Sequence, residues 1–138
     1  MMGAFKGVVV TNVGKDLLLQ AMQGKIKIEF TKMIVGDGVY EDDEDLKLKT
    51  GLKSPKRNAI ITSNKKIDTN CININANVNN EGLEEGFNIT EIGLFAKSNV
   101  DENEILYAIA IAEHPDFLQA YSSKMPVNIT ERFFCYRQ

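Results

Sequence analysis

Apolar and polar positions alternate through several segments of this chain and predict a fold dominated by β-strands. The clearest alternation covers residues 72–79, where isoleucine, alanine and valine at the even positions are separated by asparagines. A period of two over a segment of this length is typical of a strand with one face in the core. The other face consists of the asparagine row, Asn73, Asn75, Asn77 and Asn79, which we expect to meet water or a partner.

Other segments have the composition or spacing of strands. They are residues 7–12, 25–35, 58–68, 87–96, 105–112 and 127–136. In 105–112, the bulky residues at 105, 107, 109 and 111 are expected on one face, and Leu106 with three alanines on the other. We expect the chain to bend after this strand, at His114-Pro115.

One helix is predicted, over residues 15–23. Thr11 or Asn12 can cap its first turn, and Leu18, Ala21 and Met22 supply one apolar face. Gly24 follows the last turn, where a left-handed residue commonly ends a helix. Because the strands are too closely spaced for βαβ crossovers, the sequence predicts an α+β fold, a mainly antiparallel β domain with one N-terminal amphipathic helix.

The length of the chain is that of one domain. Domains cluster at about 100–150 residues, and we expect residues 1–138 to form a single one. Within it, residues 39–58 are highly charged and predict a surface excursion pinned by a few leucines. Gly36-Asp37-Gly38, just before them, is typical of a turn that needs the conformational freedom of glycine.

Composition and charge argue against several classes of function. The net charge is −3, from 16 basic and 19 acidic residues, whereas nucleic-acid binders usually carry a basic excess that displaces counterions. The N-terminus lacks the pattern of a signal peptide, and no apolar run approaches the ~20 residues that span a bilayer. We therefore expect no nucleic-acid partner, no membrane association and synthesis in a cytoplasm.

The sequence also lacks the residues for the common catalytic and metal sites. It has one histidine, His114, and two widely separated cysteines, which do not make a zinc site. No GxSxG turn occurs, and the acidic residues 37–45 do not fit the calcium-loop register. We predict no enzyme, no metal and no cofactor. A polysaccharide-degrading protein with paired carboxylates, or a carbohydrate-binding β-domain, stays open as the alternative.

Several of these segments, in this order, resemble the N-terminal, baseplate-attachment domain of phage tail-collar fibre proteins. The resemblance covers roughly residues 5–130. It is carried by Thr11-Asn12-Val13-Gly14 with the helix Leu17 to Met22 and Gly24, by Phe30 to Met33, by Val35 to Gly38, by Phe87 to Phe95, which is the most specific piece, and by Tyr107 to Ala112. The segment 131–138 does not match the exit strand usual in the family.

The resemblance implies a structural role. Such a domain joins a tail fibre to a baseplate protein of a phage or phage-tail-like particle and serves host attachment. It would be made in the cytoplasm of the bacterial host and located in the virion or tail particle. Because relatives usually continue into a shaft and a receptor-binding tip, which we expect to be absent here, a downstream fibre or tip protein is a further expected partner.

The resemblance and the alternating pattern each single out a set of residues. The motif residues, expected to be structural, are Gly36, Asp37, Gly38, Glu91, Ile92, Gly93, Leu94 and Phe95. Ile92 and Leu94 are expected to share a buried face. Fibres of the family are homotrimers, and the asparagine row is our candidate for a contact face between copies, with a solvated surface as the alternative.

Overall fold

The computed structural model of the chain describes residues 4–68, 71–121 and 128–135, with the backbone alone at 4–7, 63–68, 71–75, 113–116 and 128–135. Within this part, seven strands form one sheet in the order β1-β6-β5-β2-β3-β4-β7. The strands are β1 Ala4–Val10, β2 Ile28–Gly36, β3 Pro55–Asp68, β4 Cys71–Asn79, β5 Phe87–Ser98, β6 Ile105–Leu118 and β7 Asn128–Cys135, and the helix α1 is Asn12–Met22. All neighbouring strands pair antiparallel, which confirms a mainly antiparallel α+β fold with a single helix among the described residues.

The start of α1 is attached to β6 by its capping residue. Thr11 accepts a hydrogen bond from the Gly14 amide at 3.0 Å, and its own hydroxyl donates to the carbonyl of Leu106 at 2.6 Å. A Cβ on Gly14 would lie 2.3 Å from the carbonyl oxygen of Tyr107. The Thr11 cap therefore satisfies the first turn, while the glycine lets the helix approach the sheet.

The buried side of α1 agrees with the prediction except at Met22. Leu18 packs against the core and Ala21 is half-buried, as expected, whereas Met22 is 55% exposed and Leu17 packs against the core in addition. The helix begins three residues earlier than the predicted 15, and the close approach at Gly14 fixes which side meets the sheet. Gly14, Leu17 and Leu18 have the i, i+3, i+4 spacing of one helix face. Gly24 has a φ of 78°, as its predicted place after the helix requires.

The two faces of the sheet are covered by different elements. The face towards α1, called the helix face, contains Ile92 and Leu94 of β5, which are fully buried in the main core. The opposite face contains Gly93 and its register partner Ile109, also fully buried. Leu52, from the segment between β2 and β3, lies over Gly93. We call that segment, residues 37–54, the excursion, and the face beneath it the excursion face.

Strand β6 departs from the predicted pattern at two places. Leu94 pairs with Ala108 and Phe95 with Leu106, so Tyr107 is an extra residue in the ladder. This bulge puts Tyr107 in the same core as Ala108, and its ring meets that of Phe30 edge-on at 5.2 Å. The prediction that Tyr107 and Ile109 share a face is therefore wrong, because an extra residue reverses the alternation.

Strand β6 does not end where the chain was expected to bend, because it continues through His114 and Pro115 to Leu118. The pairing with β5 shifts between Ile89↔Asp116 and Glu91↔Ile111, so that β6 has extra residues at this point. Proline cannot donate to a ladder hydrogen bond and is accommodated in sheets at such irregularities.

The charged excursion is shorter than the predicted 39–58. Strand β3 already begins at Pro55, which pairs with Gly36 of β2. A proline is tolerated as the first residue of a strand, so residues 55–58 belong to the sheet. The excursion contains one short 3-10 turn at Leu46–Leu48, whose capping residue Asp45 accepts from the Lys47 amide at 3.1 Å.

Candidate functional site

The side chain of Glu91 is buried between β5 and the excursion. It is 0% exposed, and a buried carboxylate needs hydrogen-bond donors to offset its lost hydration. One oxygen accepts from the amides of Gly38 at 2.9 Å and Ser54 at 2.8 Å. The other accepts from the Tyr40 hydroxyl at 2.5 Å and the Lys53 amide at 3.1 Å. Glu91 thus binds both ends of the excursion, and we call these contacts the Glu91 clamp.

Glycine at the start of the excursion makes room for this carboxylate. A Cβ on Gly38 would lie 2.6 Å from a carboxylate oxygen of Glu91. On Gly36, the Cβ would lie 2.5 Å from the same oxygen and 2.3 Å from the backbone oxygen of Ser54. Neither glycine has a positive φ. The glycines of the predicted turn are therefore required by close packing and not by a left-handed backbone.

Further hydrogen bonds join the first residues of the excursion to β5 and to the last residues of the excursion. The Thr90 hydroxyl donates to the carbonyl of Gly38 at 2.6 Å. The Ser54 hydroxyl donates to the Asp37 carboxylate, and the Asp37 amide donates to the Ser54 carbonyl at 3.1 Å. Lys56 lies 3.9 Å from the same carboxylate. A segment without strands is therefore closed into a fixed loop at its base.

A charged network extends outward from Tyr40. The ammonium of Lys53 lies 4.5 Å from the centre of the Tyr40 ring, and that of Lys49 lies 5.5 Å from it. Both lysines form ion pairs with Glu44. Their hydrogen bonds lower the pKa of Glu44 to about 2. Burial, and then the bond to Glu91, raise the pKa of Tyr40 above its ordinary value, so the phenol stays a donor at neutral pH.

The chemistry of the clamp is that of a structural joint. Both oxygens of Glu91 are occupied by donors from the protein itself, whereas a general base must reach a substrate proton. Among the residues that the structure describes, no group of three or more histidine, cysteine or acidic side chains is placed to hold a metal ion. In the same part of the chain, no helix has the length and apolar character needed to cross a bilayer.

A groove of about 270 Å³ lies between β1 and the outer part of the excursion. Val9, Leu46 and Ile111 are its main apolar lining, and Tyr40 closes one side. Three acids also line the groove, Glu41, Asp42 and Glu44. Here the excursion and an outer strand of the sheet form a concave surface that has both apolar and charged walls.

Two members of the asparagine row, Asn77 and Asn79, lie on the excursion face of β4. Ala76 and Val78 are buried, whereas Asn77 and Asn79 are half-buried. Asn77 pairs in register with Ile60, which is 70% exposed. The side chain of Asn79 accepts from the Glu81 amide at 3.0 Å. The side chains of Asn73 and Asn75 lie outside the described residues, so the predicted contact face stays a prediction.

The structure brings the two predicted motif segments together. Gly36 and Gly38 meet Glu91 within the clamp, while Ile92 and Leu94 point to the opposite face and Phe95 is half-buried. A Cβ on Gly93 would meet the side chains of Leu106 and Leu52, at 2.9 and 3.0 Å. The residues that approach Gly93 closely thus do so with their side chains.

Sequence reasoning did not identify the other members of the clamp, which are Tyr40, Lys53 and Ser54. The available signal was Glu91 itself. A glutamate within the apolar run of a buried strand requires partners. The sequence alone does not say which residues those partners are, because they lie far away along the chain.

One of three comparisons with known proteins gave a match. A family model described as phage tail-collar fibre protein, N-terminal, matches residues 1–128. No curated protein and no solved structure matches the chain. The matched region contains the helix, the excursion, every residue of the Glu91 clamp and the groove.

Proposed function

Because the chain belongs to the phage tail-collar fibre protein family, through its N-terminal domain, we propose that it is the adaptor that attaches a tail fibre to the baseplate. Family membership supports a structural role in a tail fibre and a place in the virion. The proposal goes further: the partner is a baseplate protein of a phage or phage-tail-like particle, and the attachment serves binding to the host. Synthesis takes place in the cytoplasm of the bacterial host.

The match over residues 1–128 carries this proposal, and the clamp supports it. An adaptor must keep its shape under load, and long loops in compact domains are usually functional. Here the excursion is fixed to the sheet at both ends by a buried carboxylate. Its exposed residues include Val39 at 74% and Leu48 at 66%, which is apolar surface suited to a protein contact. We propose a structural protein without catalytic activity.

We also propose that the chain is a homotrimer in the particle, with a downstream fibre or tip protein as a further partner. The open face of β3 and β4 is the candidate contact between copies, because exposed Ile60 lies opposite Asn77 there. Replacing Asn75 and Asn77 by lysine places charge on this face. If it is an interface, light scattering should give a lower mass than for the wild type. An unchanged mass, with unchanged incorporation into tails, would leave the row as solvated surface.

Deletion of the gene tests the adaptor role. Tail particles purified from the deletion strain should have baseplates but no fibres, and should adsorb poorly to host cells. Supplying the full chain in trans should restore both properties. Particles that keep their fibres in the deletion strain would contradict the proposal. The alternative of a carbohydrate-binding β-domain would gain support if the purified chain bound host glycans while the fibres stayed in place without it.

A further inference from the structure

The groove between β1 and the excursion has the lining of a site for a long cationic side chain. We propose that it binds a lysine or arginine of an extended segment from the protein to which this chain docks. The inference rests on the proposed function and names the chemistry of the partner.

The shape and apolar lining of the groove suit such a side chain. The groove has a volume of about 270 Å³, which is enough for one or two side chains. Its apolar floor is formed by Val9, Leu46 and Ile111. Lysine and arginine place their aliphatic stems on apolar surface while the charged end stays near water or an acid. A purely apolar side chain would fill the floor but would leave Glu41 at the acidic wall of the groove without a counter-charge.

The charge of the groove points to a cation. Glu44 is already paired with Lys49 and Lys53, at 2.7 and 2.5 Å. Glu41 is exposed, and its carboxylate has no hydrogen-bond or ion-pair partner among the described side chains. Its backbone groups, by contrast, are fixed to Glu44 on both sides. Glu41 therefore carries an unneutralised charge on a fixed backbone, and a cation of the partner can neutralise it.

The position of the groove points to an extended segment. Strand β1 is the last strand at one side of the sheet, and in the described part of the chain its outer edge pairs with no other strand. Val8 and Val9 both line the groove, and neighbours in a strand point to opposite faces, so the groove follows this edge. Unpaired main-chain groups of an edge strand can hydrogen-bond an added segment.

The Glu91 clamp supports binding by keeping the acidic wall in place before the partner arrives. Tyr40 belongs both to the clamp and to the groove lining. A wall that is already ordered loses less conformational freedom on binding, which favours affinity.

The test uses the full chain labelled with nitrogen-15 and a short capped peptide in which arginine and valine alternate. We expect saturable NMR shifts of the Val8, Val9 and Ile111 amides. A peptide with glutamine in place of arginine should bind more weakly. Glu41→Lys should lower the affinity for the arginine peptide about tenfold, or about 1.4 kcal/mol. Glu84→Lys is the matched control, because Glu84 is an exposed acid that lines a different groove.

In the peptide titration, the inference is overturned by no saturable shifts at the groove, by equal affinity for the two peptides, or by an equal effect of the two variants. Unfolding curves show that the variants are folded. Incorporation of the variants into tail particles separates this inference from the proposed function. If Glu41→Lys enters tails as well as Glu84→Lys does, the groove is not the docking site, while the adaptor role stands. If the wild-type chain is missing from tails, the adaptor role fails, and the peptide titration still decides what the groove binds.

Discussion

Replacing Glu91 by glutamine measures how strongly the clamp holds the excursion on the sheet. Glutamine keeps the size of the side chain but turns one acceptor oxygen into an amino group, which then faces two of the four donors. Each buried donor left without an acceptor costs about 1–3 kcal/mol. The Lys53 and Ser54 amides are only partly buried, so water offsets part of this cost. We expect the free energy of unfolding to fall by about 2–4 kcal/mol.

Urea unfolding followed by circular dichroism measures this loss, because the chain has no tryptophan. Glu85→Gln is the matched control, since Glu85 is exposed, and it should change the free energy of unfolding by less than about 0.5 kcal/mol. Hydrogen exchange at the Gly38 amide, which donates to Glu91, should become faster in Glu91→Gln alone. A loss below about 0.5 kcal/mol with unchanged exchange would refute the clamp as a stabilising contact.

Three further predictions use the same chain. Gly36→Ala puts a Cβ 2.3 Å from a backbone oxygen of the excursion and should lower the free energy of unfolding in urea by about 1–3 kcal/mol. Gly51→Ala is the control, because a Cβ there meets nothing within 4 Å. Equal losses in the two variants would contradict the close packing at Gly36. Leu94→Ala should lower the free energy of unfolding by about 2–5 kcal/mol. Leu19→Ala should lower it clearly less, because Leu19 is 54% exposed. A loss below about 0.5 kcal/mol for Leu94→Ala would mean that this face of the sheet is not core. Because the pKa of Glu44 is lowered from 4.5 to about 2, its contribution to stability is complete above pH 4.5 and is lost as the pH falls towards 2. An NMR titration of the Glu44 carboxyl should therefore have its midpoint near 2, and a midpoint near 4.5 would show that its ion pairs are absent in solution.

Strands were predictable where local alternation reflects a single buried face. In β4 the alternation indicated the strand, and Ala76 and Val78 are indeed buried. The pattern failed in β6, because the bulge at Tyr107 depends on how β6 pairs with β5. In α1 it failed at Met22, which is exposed, because the contact of Gly14 with β6, which sets the buried side, joins residues far apart in sequence. Both failures come from tertiary contacts that a local period does not contain.

The candidate site was predictable in its parts but not in its assembly. The sequence singled out Gly36-Asp37-Gly38 and the segment around Glu91 separately. Their meeting depends on β2 and β5 being neighbours in the sheet, with Gly36 in register with Glu91. Tyr40 carried no signal of its own, because an aromatic residue in a charged loop is also compatible with simple surface.

Cross-linking mass spectrometry of purified tail particles tests the adaptor role most directly. Lys47 is exposed on the excursion, so its amine is accessible to a lysine-reactive reagent before docking and lies close to the proposed contact. We predict that this chain is present in the particles and that Lys47 cross-links to a baseplate protein. If the chain is present but cross-links from its lysines reach only fibre proteins or other copies of itself, the proposed attachment to the baseplate is wrong.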